Sequence, residues 1–467
     1  MHIENQEGNL KRVLGLGDVI GIAVANVVGA GILVLTGIAI GMTGTGVIFA
    51  YLASATFTLI KITPMALMSS ALPTTGGMYR YSSRLLSPKL AFFWMLMTML
   101  VHVGISNLAL TFAMYFQGLI PGISIKWVAA LALTVCYVAN LCGIKKVAVV
   151  AKYMVLVLLI ALGLFIAYGV PAVDYARVLA PLNLLPHGWV GLFSAVALVS
   201  FATNGAQFIA EIGGEMKNPG RDIPLAMYTA TAGVGMLYGV IALVASGVLP
   251  VARVADKPLT DVARAILPAP LFLFFMVGGA LVVLVIHLLV VFASFTKGLL
   301  IACHDGWLPK GLGAVNRRFG TPHWLLTLMF LVGITPVLSG MTVTTIAALG
   351  SGVGFFTYLI PFLACTQLPK RFPEAYAKAK FKLKPRTINL VVTVASLLSI
   401  IQGFLLLLKL KPSLRIMVVT YISAAAFYIY LISKTSKYDQ IKASKSFSPE
   451  EKAGEMQAKE GELVAQR

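Results

Sequence analysis

Two glycine-containing segments lie in the middle of long apolar stretches of this sequence, where a continuous helix would otherwise be expected. The first is VVGAG at residues 27–31, and the second is FATNGAQ at residues 201–207. Glycine costs about 1 kcal/mol relative to alanine inside a helix, and it lets the backbone leave helical geometry. Both segments are therefore predicted to interrupt a helix near its midpoint.

An interrupted helix exposes main-chain groups that can bind charge. The outer half of the first helix would begin with free N–H groups around Gly31, where the helix dipole is positive and a carboxylate fits. The second helix would end in free carbonyl groups around Ala202, which suit an ammonium group. Such opposed positions match the α-carboxylate and α-amino groups of an amino acid. The predicted substrate-binding residues are Val28, Gly29, Ala30, Gly31, Ile32, Phe201, Ala202, Asn204, Gly205 and Gln207.

The composition places these segments in a membrane. Of the 467 residues, 58% are hydrophobic and only 12% are charged, and the mean hydropathy is +0.89. This excludes soluble, fibrous, disordered and nucleic-acid-binding classes. The net charge of +20 comes from basic residues between apolar runs, as the positive-inside rule expects. The four cysteines have no metal-binding or disulfide-framework spacing.

Apolar runs of about 20 residues predict transmembrane helices, and the sequence contains twelve of them. Barrel strands would be half as long and would alternate in polarity, so the predicted class is all-α. Lys and Arg concentrate in alternate loops, which predicts that both termini are cytoplasmic. Spans one to twelve are predicted at 16–41, 46–71, 88–117, 124–142, 147–169, 188–213, 222–249, 267–302, 322–339, 342–367, 387–408 and 413–433.

The interrupted spans one and six open two successive groups of five helices. Because five is odd, the second group would be inserted upside down, which gives a 5+5 inverted repeat with its substrate site near the midplane. Spans eleven and twelve lie outside the repeat and could face a partner subunit or lipid. The predicted units are a cytoplasmic N-terminus (1–15), the first repeat (16–169), the second repeat (188–367), the last two spans (387–433) and a disordered cytoplasmic tail (434–467).

Four of the ionisable residues inside the predicted spans are candidates for function, namely Lys61, His102, Glu211 and His287. Such residues are functional candidates because a charge in the membrane is costly, so we consider them for coupling or gating. The alternative for each histidine is a neutral, hydrogen-bonded core residue. Glu211 could instead pair with a nearby basic group. Asn204 and Gln207 could contact substrate or only form interhelical hydrogen bonds.

Four motifs accompany the spans. They are GAGI from Gly29, PxxGGxYxY from Pro73, EMKNPGRDIP from Glu215 and HDGWLP from His304. In this order and on these sides of the membrane, the chain resembles amino-acid permeases of the amino acid/polyamine/organocation superfamily over roughly residues 10–435. The resemblance implies a LeuT-like fold with discontinuous helices one and six.

The resemblance also implies roles for individual residues. Phe201 matches the position of an aromatic gate over the substrate, although an ordinary core or lipid-facing phenylalanine is the alternative. Some relatives carry a lysine midway along span five, where this chain has Leu158. Hydroxyl groups in membrane helices often bond their own backbone instead of an ion. A candidate sodium site, as the resemblance implies it, would comprise Ala25, Val28, Ser294 and Thr296.

We therefore predict a secondary transporter that moves amino acids by alternating access, with H⁺ or Na⁺ as the candidate coupling ion and no cofactor. A polyamine or other organic-amine transporter or antiporter is the nearest alternative, but only Glu211 offers it a core carboxylate. A membrane enzyme using His102 and His287 lacks any recognised catalytic arrangement, and a channel lacks a filter-like loop. The expected partners are an amino-acid substrate and the bilayer of the plasma or inner membrane, for a monomer or homodimer that binds no nucleic acid.

Overall fold

The computed structural model describes Arg12 and residues 14–29, 31–74, 76–143, 147–316 and 318–442. Within these ranges the chain is helical, and its one extended pairing is an isolated parallel bridge between Leu14 and Met216. The all-α class is confirmed for this part of the chain. We call the end of the bundle that carries this bridge the inner end.

The helices follow one another with short connections. The helices up to residue 169 are α1 (Leu16–Val27), α2 (Thr36–Thr43), α3 (Val47–Ala71), α4 (Gly77–Leu85), α5 (Pro88–Val101), α6 (Gly104–Leu119), α7 (Ile125–Leu141) and α8 (Val147–Gly169). The next are α9 (Tyr175–Leu179), α10 (Pro181–Leu184), α11 (Gly188–Thr203), α12 (Pro219–Gly247), α13 (Val251–Val254), α14 (Thr260–Ile266), α15 (Ala269–Phe274) and α16 (Val282–His304). The last are α17 (His323–Leu338), α18 (Val343–Thr357), α19 (Leu359–Arg371), α20 (Pro373–Lys378), α21 (Pro385–Leu407), α22 (Pro412–Ser433) and α23 (Ser436–Lys442).

Proline sets the start of several long helices. α5, α12, α21 and α22 each have proline as their first residue. This position suits proline because the N–H that it lacks would have no partner within the helix, and its fixed φ is already helical. At α5 the Ser87 side chain also accepts a hydrogen bond from the Leu90 N–H, which caps the first turn.

The described residues contain nine helical stretches long and apolar enough to cross a membrane. One of them, Leu16–Ala71, covers the predicted spans one and two, and the shorter apolar helices Ile125–Leu141 and His323–Leu338 match spans four and nine. The protein is therefore an integral, multi-pass membrane protein. The count of twelve crossings and the inverted repeat stay predictions.

Several helices are interrupted. Span one is interrupted between α1 and a π-helical turn at Gly31–Leu35, and span six between α11 and a 3₁₀ segment at Ala206–Glu211. Sequence reasoning did not predict three further irregularities. They are the break in span three between α5 and α6, the π-helical segment Phe275–Leu281 in span eight and the break in span ten at Tyr358.

Helix α3 lies at the centre of the bundle and packs against α11, α12, α19 and α21. Helix α22 lies at the periphery against α5 and α23. Its residues Ile416, Val419 and Phe427 are each more than 60% exposed, which suits a lipid-facing surface. Spans eleven and twelve therefore differ, because α21 contributes more buried residues to the core than α22 does.

The predicted tail is partly ordered. Ser436–Lys442 form α23, its Ile441 is buried, and the Tyr438 ring lies 5.9 Å from the Trp307 ring. The structure thus describes a short helix at the start of the predicted tail. The rest of the tail lies outside the described residues.

Candidate functional site

The break in span one follows directly from the end of α1. Val28 has an extended conformation with φ −78° and ψ 112°, and helical structure resumes at Gly31. The Val27 carbonyl oxygen accepts a hydrogen bond of 3.4 Å from the Tyr238 hydroxyl. The first N–H groups of the outer segment, at Gly31 and Ile32, have no partner within that segment. Ala30 lies outside the described residues.

The break in span six exposes carbonyl groups. Helix α11 ends at Thr203, and the Ser200 carbonyl oxygen accepts bonds from both the backbone N–H (3.2 Å) and the side-chain amide (2.7 Å) of Asn204. The carbonyl groups of Phe201 and Ala202 also have no partner inside the helix. In the described chain no backbone N–H outside the helices donates to them. The end of α11 is thus fixed by Asn204, with acceptors left over.

Gly205 cannot be replaced by another residue type without strain. Its φ is +136°, a conformation that residues with a Cβ atom rarely adopt. A Cβ atom at this position would overlap the Asn26 carbonyl oxygen and lie 2.7 Å from the Asn26 carbonyl carbon. The backbone of span six therefore lies directly against the last turn of α1.

The two breaks also touch at a second point. A Cβ atom on Gly31 would lie 2.5 Å from the Ala202 Cβ atom, so the glycine allows the outer segment of span one to approach the end of α11. The structure thus brings together the residues predicted to bind carboxylate and those predicted to bind ammonium. In this conformation the glycines serve close packing between the breaks.

Gln207 connects the break in span six to the break in span ten. Its Oε1 atom accepts a hydrogen bond of 3.0 Å from the Gly205 N–H, and its Nε2 atom donates one of 2.8 Å to the Tyr358 hydroxyl. Gln207 thus forms an interhelical hydrogen bond, and its contact with substrate stays a prediction. Gln207 therefore holds the shape of the break.

His287 lies on the break of span one. A Cβ atom on Gly29 would be 2.6 Å from the imidazole Cε1 atom and 2.7 Å from Nδ1. The ring is half-buried, and within the described residues it has no hydrogen-bond partner. Phe201 is also half-buried, and its ring lies 3.8 Å from the Cβ position of Gly104 at the start of α6. A polar ring and an aromatic ring thus border the two breaks.

His102 lies at the break of span three, away from hydrogen-bonding partners. It is buried, and its ring centroid is 3.7 Å from that of Phe295 on α16. Within the described residues its Nδ1 atom is buried without a partner. No hydrogen bond joins His102 to His287 in this part of the chain, so the acid–base pair of the enzyme hypothesis does not form.

Lys61 and Glu211 lie in different surroundings. The Lys61 ammonium donates a bond of 2.8 Å to the Gln402 side-chain oxygen. Glu211 ends the 3₁₀ segment of span six, where its carbonyl oxygen accepts a bond of 3.4 Å from the Gly76 N–H. A Cβ atom on Gly77 would lie 2.6 Å from the Glu211 Cγ atom. The loop after span two therefore packs directly on Glu211.

Other motif residues meet near the inner end. The Tyr79 hydroxyl donates a bond of 2.8 Å to a carboxylate oxygen of the buried Asp305. The backbone of Leu14 bonds to that of Glu215 (3.1 Å) and Lys217 (3.0 Å). The loops after spans two, six and eight thus contain the contacts that link the inner ends of the helices.

The candidate sodium ligands do not share one face of a helix. Ser294 is exposed and Thr296 is buried. They are two residues apart on α16, which at about 100° per residue places them on roughly opposite faces. On span one, Ala25 is half-buried and Val28 is buried. The described residues also contain no cluster of His, Cys, Asp or Glu that could hold a metal ion.

Sequence reasoning missed several residues that support the site. Tyr238, Tyr358 and Gln402 each bond to a residue far away in the sequence, with separations of 211, 151 and 341 residues. The signal for Gln402 was available, because a lone amide in an apolar helix must find a polar partner. Nothing in the sequence distinguishes Tyr358 from the other tyrosines.

Comparison with known proteins finds similar transporters. The branched-chain amino acid permease of Bacillus subtilis (strain 168) is 26% identical over 342 residues, which covers 68% of this chain and 72% of the relative. The methylthioribose transporter of the same organism is 25% identical over 406 residues, or 81% and 86% of the two chains. The mitochondrial cationic amino acid transporter 3 of Arabidopsis thaliana is 26% identical over 340 residues, or 67% of this chain and 55% of the relative.

These relatives are transporters, and none is an enzyme by name. The model of the amino acid permease family matches residues 14–438, a range that includes both interrupted spans and all four motifs. The protein is therefore a member of the amino acid permease family, a multi-pass membrane transporter.

Proposed function

We propose that the protein is a secondary transporter that moves amino acids across the membrane by alternating access. The observation that carries the proposal is the contact between the two breaks, where Gly31 adjoins Ala202 and Gly205 adjoins Asn26. Unpaired backbone groups are too costly to face lipid, so they need a polar occupant or water. The N–H groups at Gly31 would bind the substrate carboxylate, and the carbonyl groups near Ala202 would bind its ammonium group.

The surroundings of the breaks favour an amino acid with an uncharged side chain. A cationic side chain would need a carboxylate partner, because an unpaired charge in the membrane is costly. Near the breaks the core carboxylate is Glu211, and the Gly76–Gly77 loop packs on it. The similarity to a branched-chain amino acid permease favours the same class of substrate. A polyamine would find too few carboxylates here.

Phe201, half-buried beside the break, is proposed as the aromatic residue that covers the bound substrate. His287, half-buried against Gly29 on the other side, is proposed to border the carboxylate position. Proton coupling is favoured over sodium coupling, because Ser294 and Thr296 lie on opposite faces of α16. The protein would act in the plasma or inner membrane, as a monomer or homodimer.

The test is counterflow in proteoliposomes preloaded with leucine, with labelled leucine outside. Competitors are valine, isoleucine, lysine, leucine amide, N-acetyl-leucine, methylthioribose and a diamine. We expect inhibition by valine and isoleucine only, since leucine amide lacks the carboxylate and N-acetyl-leucine lacks the ammonium group. Equal inhibition by methylthioribose, which has neither group, would show that the breaks do not bind the two charges. The absence of counterflow for every amino acid would overturn the proposed function itself.

A further inference from the structure

Lys61 is a buried cation near the middle of the central helix. Its exposed fraction is 3%. The Nζ atom donates one hydrogen bond, of 2.8 Å, to Gln402 Oε1, and lies 4.3 Å from the centroid of the Phe355 ring. An ammonium group has three N–H donors. One amide oxygen and one aromatic face therefore satisfy it only in part.

In the part of the chain that the structure describes, no charged partner compensates Lys61. Within the described residues it forms no ion pair, and α11 and α18 contain no acidic or basic residue. The acidic residue of α12 is Asp222, two residues after Gly220. The Gly220 carbonyl oxygen accepts a hydrogen bond from the Ser70 hydroxyl, which places this part of α12 beside Ser70. Ser70 lies nine residues from Lys61 on α3, about 13 Å along the helix axis.

The titratable and charged residues on the elements packed around α3 lie elsewhere. Glu211 faces the Gly76–Gly77 loop at the far end of α3. The remaining residues of this kind are Arg221, Tyr228 and Tyr238 on α12, Cys365, Lys370 and Arg371 on α19, Arg386 on α21, Tyr79, Arg80, Tyr81 and Arg84 on α4, and Glu374, Tyr376 and Lys378 on α20. In the described part of the chain none of them makes a hydrogen bond or ion pair with Lys61.

A chain of hydrogen bonds connects Lys61 to the break in span six. Gln402 accepts from Lys61 and donates a bond of 3.0 Å to the Ser200 hydroxyl. The Ser200 hydroxyl is 3.0 Å from that of Ser54, which is 2.8 Å from that of Thr203. Ser200 and Thr203 form the last turn of α11. The Ser200 carbonyl group is also the one that Asn204 caps.

These contacts suit a neutral amine better than an ammonium. A neutral amine can donate one bond and leave its lone pair against apolar groups at small cost, whereas a buried charge without a partner costs several kcal/mol. A proton bound at Lys61 would therefore favour a conformation that offers more acceptors. The acceptors connected to Lys61 through Gln402 include the hydroxyl groups of Ser200 and Thr203 in the last turn of α11.

We propose that Lys61 is the proton-binding residue of the transport cycle, and that Gln402 and Ser200 transmit its protonation to the broken end of span six. The proton is transferred from hydronium in the aqueous phase to the amine lone pair and leaves a water molecule, so no other reactant is needed. This inference rests on the proposed function, since it requires that span six changes conformation during transport.

The test compares two assays on the same proteoliposomes: counterflow without a gradient, and accumulation driven by an imposed pH gradient. In the native protein we expect the gradient to raise accumulation at least about fivefold, the lower end of typical coupling between two sites. Lys61→Met should retain counterflow but lose the response to the gradient. Lys409→Met, at the outer end of α21, is the matched control and should keep both.

Gln402→Glu provides a second variant. It places a carboxylate where the amide oxygen now accepts from Lys61, so the lysine should stay protonated and the gradient response should again be lost. This variant decides the question if Lys61→Met does not yield a monodisperse protein. Gln367→Leu on α19 is its control and should respond as the native protein does.

Each contrary result has a distinct meaning. Gradient-driven accumulation that survives in Lys61→Met or Gln402→Glu would overturn the assignment of Lys61. Native protein that shows counterflow but no response to the gradient would overturn this inference and leave amino-acid transport standing. Native protein without counterflow would overturn both.

Discussion

The contact between the two breaks can be tested by adding a methyl group at Gly31 and by removing the opposing methyl group at Ala202. A Cβ atom on Gly31 would lie 2.5 Å from the Ala202 Cβ atom, whereas carbon atoms in contact prefer about 3.5–4.0 Å. Gly31→Ala must therefore separate the two segments by about 1 Å. Overpacking of this kind costs about 1–3 kcal/mol. At ~1.4 kcal/mol per factor of ten, the conformation in which Gly31 packs against Ala202 should lose about 5- to 150-fold in population.

Ala202→Gly removes the opposing methyl group and should rescue the first variant. We expect the double variant to recover transport to within about fivefold of the native protein, because glycine in the last turn of α11 costs about 0.5–1 kcal/mol. The assays are leucine counterflow and thermal unfolding in detergent for both single variants and the double variant. If the double variant melts like the native protein but transports no better than Gly31→Ala, the new methyl group blocks substrate, and our packing argument fails.

Two further predictions concern the edges of the site. Tyr358→Phe removes the hydroxyl that accepts a hydrogen bond from Gln207. We therefore expect the unfolding free energy to fall by about 0.5–1.5 kcal/mol and transport to become slower. An unchanged melting temperature would show that this hydrogen bond does not stabilise the protein. Gly29→Ala would place its Cβ atom 2.6 Å from the His287 ring, whereas Gly104→Ala would place its own 3.8 Å from an aromatic ring on α11. We expect counterflow to fall at least about tenfold in Gly29→Ala and to stay within about twofold of the native rate in Gly104→Ala. Equal losses in the two variants would contradict the proposed contact between Gly29 and His287.

The breaks themselves could be predicted because their cause is local. A glycine in an apolar run weakens the helix wherever it occurs. Two such runs, each in the first of five successive spans, can therefore be recognised in the sequence. Gly205 illustrates this, since its φ of +136° is a property of its own residue. The unpredicted break between α5 and α6 also borders a glycine, Gly104, but a single glycine in a membrane helix commonly serves close packing, so the sequence did not single out this position.

The partners of the candidate residues could not be predicted for a related reason. Lys61, His287 and Gln207 were each conspicuous as polar residues in apolar helices, but a helix presents several faces. Which face meets Gln402, Gly29 or Tyr358 depends on how helices more than a hundred residues apart are packed. A single sequence indicates that a polar residue in an apolar helix needs a partner, but it does not identify that partner.

The same reasoning explains why span eleven packs against the core although it lies outside the proposed repeat. Gln402 is 3% exposed and Ser399 is fully buried on α21, whereas the corresponding stretch of α22 is largely apolar and exposed. An amide facing lipid would lose its hydrogen bonds, so the helix that carries it is held against the core. In this position the Gln402 amide oxygen accepts a hydrogen bond from Lys61 on α3, and the amide nitrogen donates one to Ser200 on α11. A helix added outside a repeat can thus become the connection between two helices within it.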